Sequence, residues 1–344
     1  MGIKGYNRYR GRTAKWRTAL AVFFILVIIA AVIVMVLQKY VVYDDTGAPQ
    51  LKLPFEKETV EDVPQEVPEV EIIYGETSKK LLQTAVRAAS LPGGALTVQA
   101  WRELQEALAA EETAYNAVAL TLKDGAGRVY YDSSAAVSSS VRLAEDTAQA
   151  LEAVLAGEYY TIACMDCFHD PKAANFQVET MGLKNTGGYI FYDGNNSQWL
   201  DPSKPEAVEY LLRLLEEAAD MGFDEILLTS VSYPAVGKLD KIDYGTEDKS
   251  RQLAAFLQEA KLRVGEDVVL SVEVSAETAK EGVNAVTGES LAEVCAVADR
   301  IYVPVADAAE AATLVETGDV QGVRLVPILP AGTVYAGENV LIDG

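Results

Sequence analysis

Residues 205–221 place Ala, Val, Leu and Met at helical spacing, and the segment GFDEILLTSVSYP at 222–234 follows directly. A helix feeding into a short apolar strand that ends at a proline is one turn of an alternating β/α chain, with the strand buried on both faces. The same alternation runs from about Lys79 onward. Strands are expected at 86–90, 116–122, 159–165, 225–230, 268–274, 300–304 and 323–328. Helices are expected at 97–111, 141–155, 205–221, 246–264 and 306–316, with helical pieces at 276–281 and 290–296 and an irregular stretch at 167–205. Strands separated by helices argue a parallel sheet. With no G-x-G-x-x-G or Walker-type loop, a closed TIM-like (β/α) barrel is favoured over a nucleotide-binding open sheet. One strand shows the expected two faces. Val269, Ser271, Glu273 and Ser275 share one side, and Leu270, Val272 and Val274 share the other.

The barrel pattern starts late because the first part of the chain has a different composition. Residues 18–37 carry no charge and span about 30 Å as a helix, the thickness of a bilayer's hydrocarbon core. Lys4, Arg8, Arg10, Arg12, Lys15 and Arg17 precede this run, so the positive-inside rule keeps residues 1–17 in the cytoplasm. The run is too long for a cleaved signal peptide and reads as a single-pass signal anchor. Residues 38–76 form an acidic, proline-containing stalk, with Pro49, Pro54, Pro64 and Pro68 spaced through it. Residues 77–344 are then the extracytoplasmic domain.

The net charge is −22, and residues 1–39 hold seven cations and no acid, which leaves −29 for the remainder. A domain that acidic is a poor match for nucleic acid, anionic polymers or anionic lipid headgroups, unless the acids serve only to keep it soluble. Neutral glycans, cationic groups or a basic protein surface suit it better. Three cysteines (Cys164, Cys167, Cys295) and one histidine (His169) supply neither a disulfide framework nor a metal centre, and no cofactor is expected. In an extended strand Cys164 and Cys167 lie on opposite faces, about 10 Å apart, too far to be bridged.

Four strand-end segments then stand in an informative order. They are NAVALTLKDGAGRVYYDS at 116–133, YYTIACMDCFHD at 159–170, WLDPSKPEAVEYLLRLLEEAADMGFDEILL at 199–228 and SVEVS at 271–275. Together they resemble a glycosyl hydrolase barrel family found in membrane-anchored and secreted bacterial proteins. The resemblance implies a TIM-like barrel acting on cell-envelope or other polysaccharide. It also implies aspartates at the positions of Thr121 and Thr229 and arginines at those of Cys164 and Ser232. The family's Tyr-Pro-Ser-His signature is replaced by IYVPVAD at 301–307, and no full final βα unit follows residue 330, so either the tail at 331–344 supplies an irregular eighth strand or the ring stays incomplete there.

Glycoside hydrolysis needs two carboxyl groups flanking the scissile bond. A threonine hydroxyl does not activate water as a carboxylate does. The expectation is therefore a catalytically degenerate, carbohydrate-binding envelope protein. The alternative is an active hydrolase using Asp166 and Glu273, which otherwise are polar lining of the barrel mouth. A protein-docking scaffold is the third reading. Lys123 and Asp124 match the family's strand-end pair and either touch ligand or form the Asp-Gly turn. Trp199, Tyr189, Phe191 and Tyr192 are the aromatics that stack on sugar rings or build the loop's own core.

Overall fold

The computed structural model describes residues 41–43, 49–51, 85–110, 115–245, 248–337 and 339–343. The chain divides into two compact units, 1–70 and 71–344. In the first, Val41–Tyr43 and Pro49–Leu51 pair antiparallel. The expected membrane span at 18–37 lies outside the described residues, as does most of the stalk. Among the described residues no helix is long and apolar enough to cross a membrane.

The second unit is a closed barrel of eight parallel strands. In chain order these are β1 (Arg87–Leu91), β2 (Ala117–Lys123), β3 (Tyr160–Asp166), β4 (Glu225–Thr229), β5 (Val269–Glu273), β6 (Arg300–Pro304), β7 (Arg324–Pro330) and β8 (Val340–Asp343). Each pairs with the next, and β8 pairs back onto β1. The helices are α1 (Val98–Ala110), α2 (Thr147–Leu155), α3 (Pro171–Phe176), α4 (Pro205–Asp220), α5 (Lys249–Val264), α6 (Ala276–Glu281), α7 (Leu291–Cys295) and α8 (Ala308–Thr317).

One open alternative is decided and one boundary is corrected. The tail after residue 330 supplies β8 and closes the ring, with Leu341 opposite Ile328 on one side and Ala88 on the other. Among its described residues the link from β7 holds no helix and is pinned instead by polar contacts. Arg87 Nη1 donates to the Gly337 carbonyl (3.0 Å), and the Val340 amide donates to the Val86 carbonyl (2.8 Å). Four residues, VLID, carry too little periodicity to announce a strand. The expected helix at 141–155 starts at Thr147, because Val141 is drawn into a bridge with Val129 and the Arg142 amide donates to the Val129 carbonyl (2.8 Å).

Inside the barrel, small residues on β1 and β2 (Ala88, Ala117, Ala119) leave room for Tyr160 and Tyr302, with Ile162, Leu227, Val326 and Leu341 between them. Filling by complementary sizes makes this a packed core rather than a pore. Its floor is polar. Glu225 accepts from Tyr160 Oη (2.8 Å) and Ser271 Oγ (2.6 Å) and forms a buried ion pair with Arg300. Outside, Leu270, Val272 and Val274 join the helix-packed layer, as their alternation with Ser271 and Glu273 requires.

Helix α4 starts with Pro205 in its first turn, where the missing amide costs nothing, and Glu206 there complements the helix dipole. It buries Tyr210, Leu211, Leu212, Leu214 and Leu215 and ends before Gly222, whose φ of 92° suits glycine. Near its end, Glu217 clasps the loop after β2. The carboxylate accepts from Tyr131 Oη (3.1 Å), Ser133 Oγ (2.5 Å), Ser134 Oγ (2.7 Å) and the Ala135 amide (3.0 Å). Burial would raise its pKa, but the donors from Ser133, Ser134, Tyr131 and Ala135 outweigh that and hold it below the usual glutamate value. A depressed carboxylate contributes stability above its unfolded pKa and loses it as pH falls through the folded value. Glu217→Ala should therefore cost about 2 kcal/mol at neutral pH and progressively less in acid. Urea unfolding at several pH values checks this; a pH-independent loss contradicts it.

Candidate functional site

The C-terminal strand ends form the barrel mouth, where enzymes of this architecture hold their active sites. Lys123 closes β2 just after a register shift between Thr121 and Lys123. Such a bulge re-aims a side chain, and Lys123 is buried rather than presented to solvent. Its Nζ lies 3.0 Å from Asp170 Oδ2 and donates to the carbonyls of Asp166 (2.7 Å) and Cys167 (3.4 Å). Asp170 Oδ1 in turn accepts from the Lys172 and Ala173 amides (3.1 and 2.9 Å) at the start of α3. Gly127 has a φ of 69°, and a Cβ there would stand 2.2 Å from Asp170 Oδ1. The Asp124 loop and the Asp170 turn are thus locked together.

Asp124 acts in that turn. Its carboxylate accepts from the Ala126 and Arg128 amides, from Arg128 Nε and from Tyr130 Oη. Of its two sequence readings, the turn is the one these contacts describe.

Asp166 closes β3 opposite Thr229. Its Oδ2 accepts from Ser230 Oγ (3.0 Å), and its Oδ1 is shut off from solvent with no hydrogen-bond donor among the described residues. Ser230 takes a φ of 50°, a left-handed conformation uncommon for serine. Above Asp166, a Cβ on Gly125 would meet His169 Nδ1 at 2.8 Å and Asp166 Oδ2 at 3.0 Å, so the loop roofs the carboxyl closely. Burial raises the Asp166 pKa, against the opposing pull of Lys123, His169 and the Ser230 hydroxyl. A raised folded pKa means the native state holds this proton more tightly, so stability falls as pH rises through that value. Asp166→Asn is expected to stabilise the domain at neutral pH, with the gain vanishing below the ordinary aspartate range. Melting curves of both proteins from pH 3 to 8 test it; an Asn variant less stable at pH 7 contradicts it.

Thr121, Cys164, Thr229 and Glu273 are half-buried at the same mouth. Thr121 pairs with Cys164, and the Leu228–Val272 register places Thr229 beside Glu273. Asp166 and Glu273 are thus two strands apart, about 10 Å between backbones. Ser232 is half-buried in the loop after β4. Cys167 is fully buried, and burial pushes its thiol pKa well up. Cys164, Cys167 and Cys295 are all unbridged, and no cluster of His, Cys, Asp or Glu suited to a metal ion occurs among the described residues.

The aromatic group divides. Trp199 is 9% exposed, stacks on His169 at 4.6 Å between ring centroids, and donates its indole NH to Asp193 Oδ2 (3.0 Å). Phe191 is also buried, whereas Tyr189 and Tyr192 are exposed. His169 Nε2 meets Ser197 Oγ at 2.7 Å. Sequence reasoning missed Asp170 and Ser230 as mouth-ordering residues. The Asp-Pro step at 170–171 was the available signal for the first, since aspartate before a helix-starting proline is a capping pattern. A left-handed serine leaves no trace in composition.

A family model described as a putative glycosyl hydrolase domain matches residues 95–304. Among solved structures, the glycoside hydrolase domain of PgaB (BpsB) from Bordetella bronchiseptica superposes with a TM-score of 0.54 at 14% identity, covering 75% of this chain and 93% of that one. Alpha-L-fucosidase isoenzyme 2 from Paenibacillus thiaminolyticus gives 0.53 at 10% identity, covering 76% of this chain and 46% of that one. A hypothetical protein from Ruminiclostridium thermocellum is 23% identical over 54% of this chain and 96% of its own, with a TM-score of 0.47. No curated protein matches the sequence. At these identities the structural likeness concerns the fold.

Proposed function

We infer that this chain, which belongs to the putative glycosyl hydrolase domain family, is a membrane-anchored envelope protein that binds polysaccharide at a glycosidase-like barrel without cleaving it. The observation that carries this is the state of Asp166. Its Oδ2 is committed to Ser230 and its Oδ1 is closed off, beneath Gly125 and His169. Cleavage needs two carboxyl groups reaching the glycosidic oxygen and the anomeric centre. With Asp166 held by Ser230 and hydroxyl or thiol groups at Thr121, Cys164 and Thr229, the positions where the resemblance implies aspartates and an arginine offer no second carboxylate. The anchor rests on the uncharged run at 18–37 behind its basic flank.

A second reading has one observation in its favour. A carboxyl whose pKa is raised by burial is the environment of a general acid, and Asp166 has that environment at the correct end of the barrel. Hydrolysis would then run through Asp166 and Glu273. The full chain in nanodiscs, incubated with a panel of envelope and plant polysaccharides, separates the two. Retention of a glycan with no new reducing ends supports the binding protein. Turnover that disappears in both Glu273→Gln and Asp166→Asn establishes the hydrolase and overturns it.

A further inference from the structure

We propose that Tyr189 and Tyr192 form the sugar-stacking rim of this barrel, and that the rings they take are uncharged pyranoses of a polysaccharide chain. The proposal rests on the glycan-binding reading above and assigns its contact surface. Four aromatics occupy the loop over the mouth, and the structure sorts them by availability. Trp199 has one face against His169 and its NH on Asp193, and Phe191 is 3% exposed. Tyr189 and Tyr192 are 75% and 49% exposed. A sugar ring needs an aromatic face open to solvent, so the buried pair is excluded by geometry.

Exposure alone is common for tyrosine; the rigidity beneath these two is not. Residues 184–190 form a tight turn in which Lys184 bridges Ile190 antiparallel. Asn185 Oδ1 accepts from the amides of Gly187 (2.9 Å) and Tyr189 (3.2 Å), and the Asn185 amide donates to the Tyr189 carbonyl (2.8 Å). The turn is tied to the β4 loop, with the Thr186 amide on the Lys241 carbonyl and the Asp243 amide on the Lys184 carbonyl. Tyr192 stands between Phe191, whose amide donates to the Leu183 carbonyl (2.8 Å), and Asp193, whose amide donates to the Ser197 carbonyl (2.9 Å). Asp193 Oδ1 also accepts from the amides of Asn195 and Ser197. Gly194 packs so closely on the Gly237 backbone that a Cβ on Gly237 would stand 2.8 Å from the Gly194 nitrogen. Backbone fixed on both sides of an exposed phenol lowers the ordering cost of binding, as in paratopes built on tyrosine.

The charge around the rim selects the sugar. Lys184 pairs with Glu179, Lys241 pairs with Asp240 (2.9 Å), and Lys204 donates to the carbonyls of Val178 and Gly182. These cations are engaged, the mouth lysine is buried against Asp170, and the chain beyond residue 39 is strongly acidic. Anionic sugars meet repulsion there, whereas an uncharged ring needs only its CH face against a tyrosine.

The test uses the full chain in nanodiscs and isothermal titration with cellohexaose, chitohexaose, a β-1,3-glucan hexamer and a galacturonate hexamer. Expected is binding of at least one uncharged hexamer, weakened at least fivefold by Tyr192→Ala and by Tyr189→Ala and restored to within twofold by each Phe variant. Near-UV circular dichroism identical to wild type certifies the fold. Wild-type binding that both alanine variants leave within twofold overturns the rim assignment while the binding reading stands. Phe variants as weak as the Ala variants overturn stacking, and binding of the galacturonate hexamer alone overturns the uncharged class. If the wild type binds none of the four, the rim assignment and the binding reading fall together.

Discussion

Replacing Lys123 with methionine is expected to cost about 3–5 kcal/mol of stability, the usual penalty for stranding one charge of a buried pair. Both side chains of the Lys123–Asp170 pair are fully shielded, at 3.0 Å separation. Methionine matches the lysine stem but leaves Asp170 with a buried carboxylate oxygen whose remaining neighbour is Tyr210 Oη at 3.4 Å. The carbonyls of Asp166 and Cys167 lose their donor in the same step. Because Asp170 also orders the start of α3, the loss should loosen the 167–204 loop before the barrel itself. Urea unfolding gives the total, and hydrogen exchange should show that loop opening first. A double-mutant cycle isolates the pair: Lys123→Met with Asp170→Asn should lose less than the two single changes added together. A single-variant loss below about 1 kcal/mol would show that the ammonium is not satisfying a buried charge.

That pair also marks how far the sequence could be read. Strand and helix order was legible because burial under helices leaves apolar runs on β4 and alternation on β5, and both patterns survive in one dimension. The mouth was legible as positions but not as contacts. Asp166 stands at a strand end, opposite Thr229. Only the three-dimensional fold shows that its carboxyl turns toward Ser230 and lies under Gly125 and His169. Lys123 and Asp124 read in sequence as a strand-end pair that either touches ligand or forms the Asp-Gly turn; past the β2 bulge the first is buried, and an Asx-type turn holds the second. Trp199 is the strongest aromatic candidate by residue type, yet Asp193, six residues earlier, captures its indole NH. Hydrogen bonds between loop residues follow no period, so they leave little for sequence reasoning to find. The eighth strand was hidden for a simpler reason: four residues joined by an irregular link have neither length nor alternation to display.

Glu225→Ala should likewise cost about 3–5 kcal/mol, through the floor of the barrel rather than its mouth. Glu225 opens β4 with no exposed surface and gathers Arg300, Tyr160 and Ser271 around one carboxylate. For Arg300, burial favours the neutral form, but Glu225 and Tyr160 outweigh it and hold the guanidinium pKa above its ordinary value. Removing the carboxylate therefore takes the buried guanidinium's ion-pair partner away within a core of alanines and tyrosines. The paired change Glu225→Leu with Arg300→Met should recover most of the loss, since an apolar pair of similar volume removes both desolvation penalties. Glu225 and Thr229 bound the same five-residue strand, which puts the floor about 13 Å from the mouth. At a temperature where Glu225→Ala remains folded, glycan retention should therefore match the wild type. Retention lost in step with Glu225→Ala, by a protein whose near-ultraviolet spectrum is unchanged, would show that floor and mouth are coupled and that the barrel interior takes part in binding.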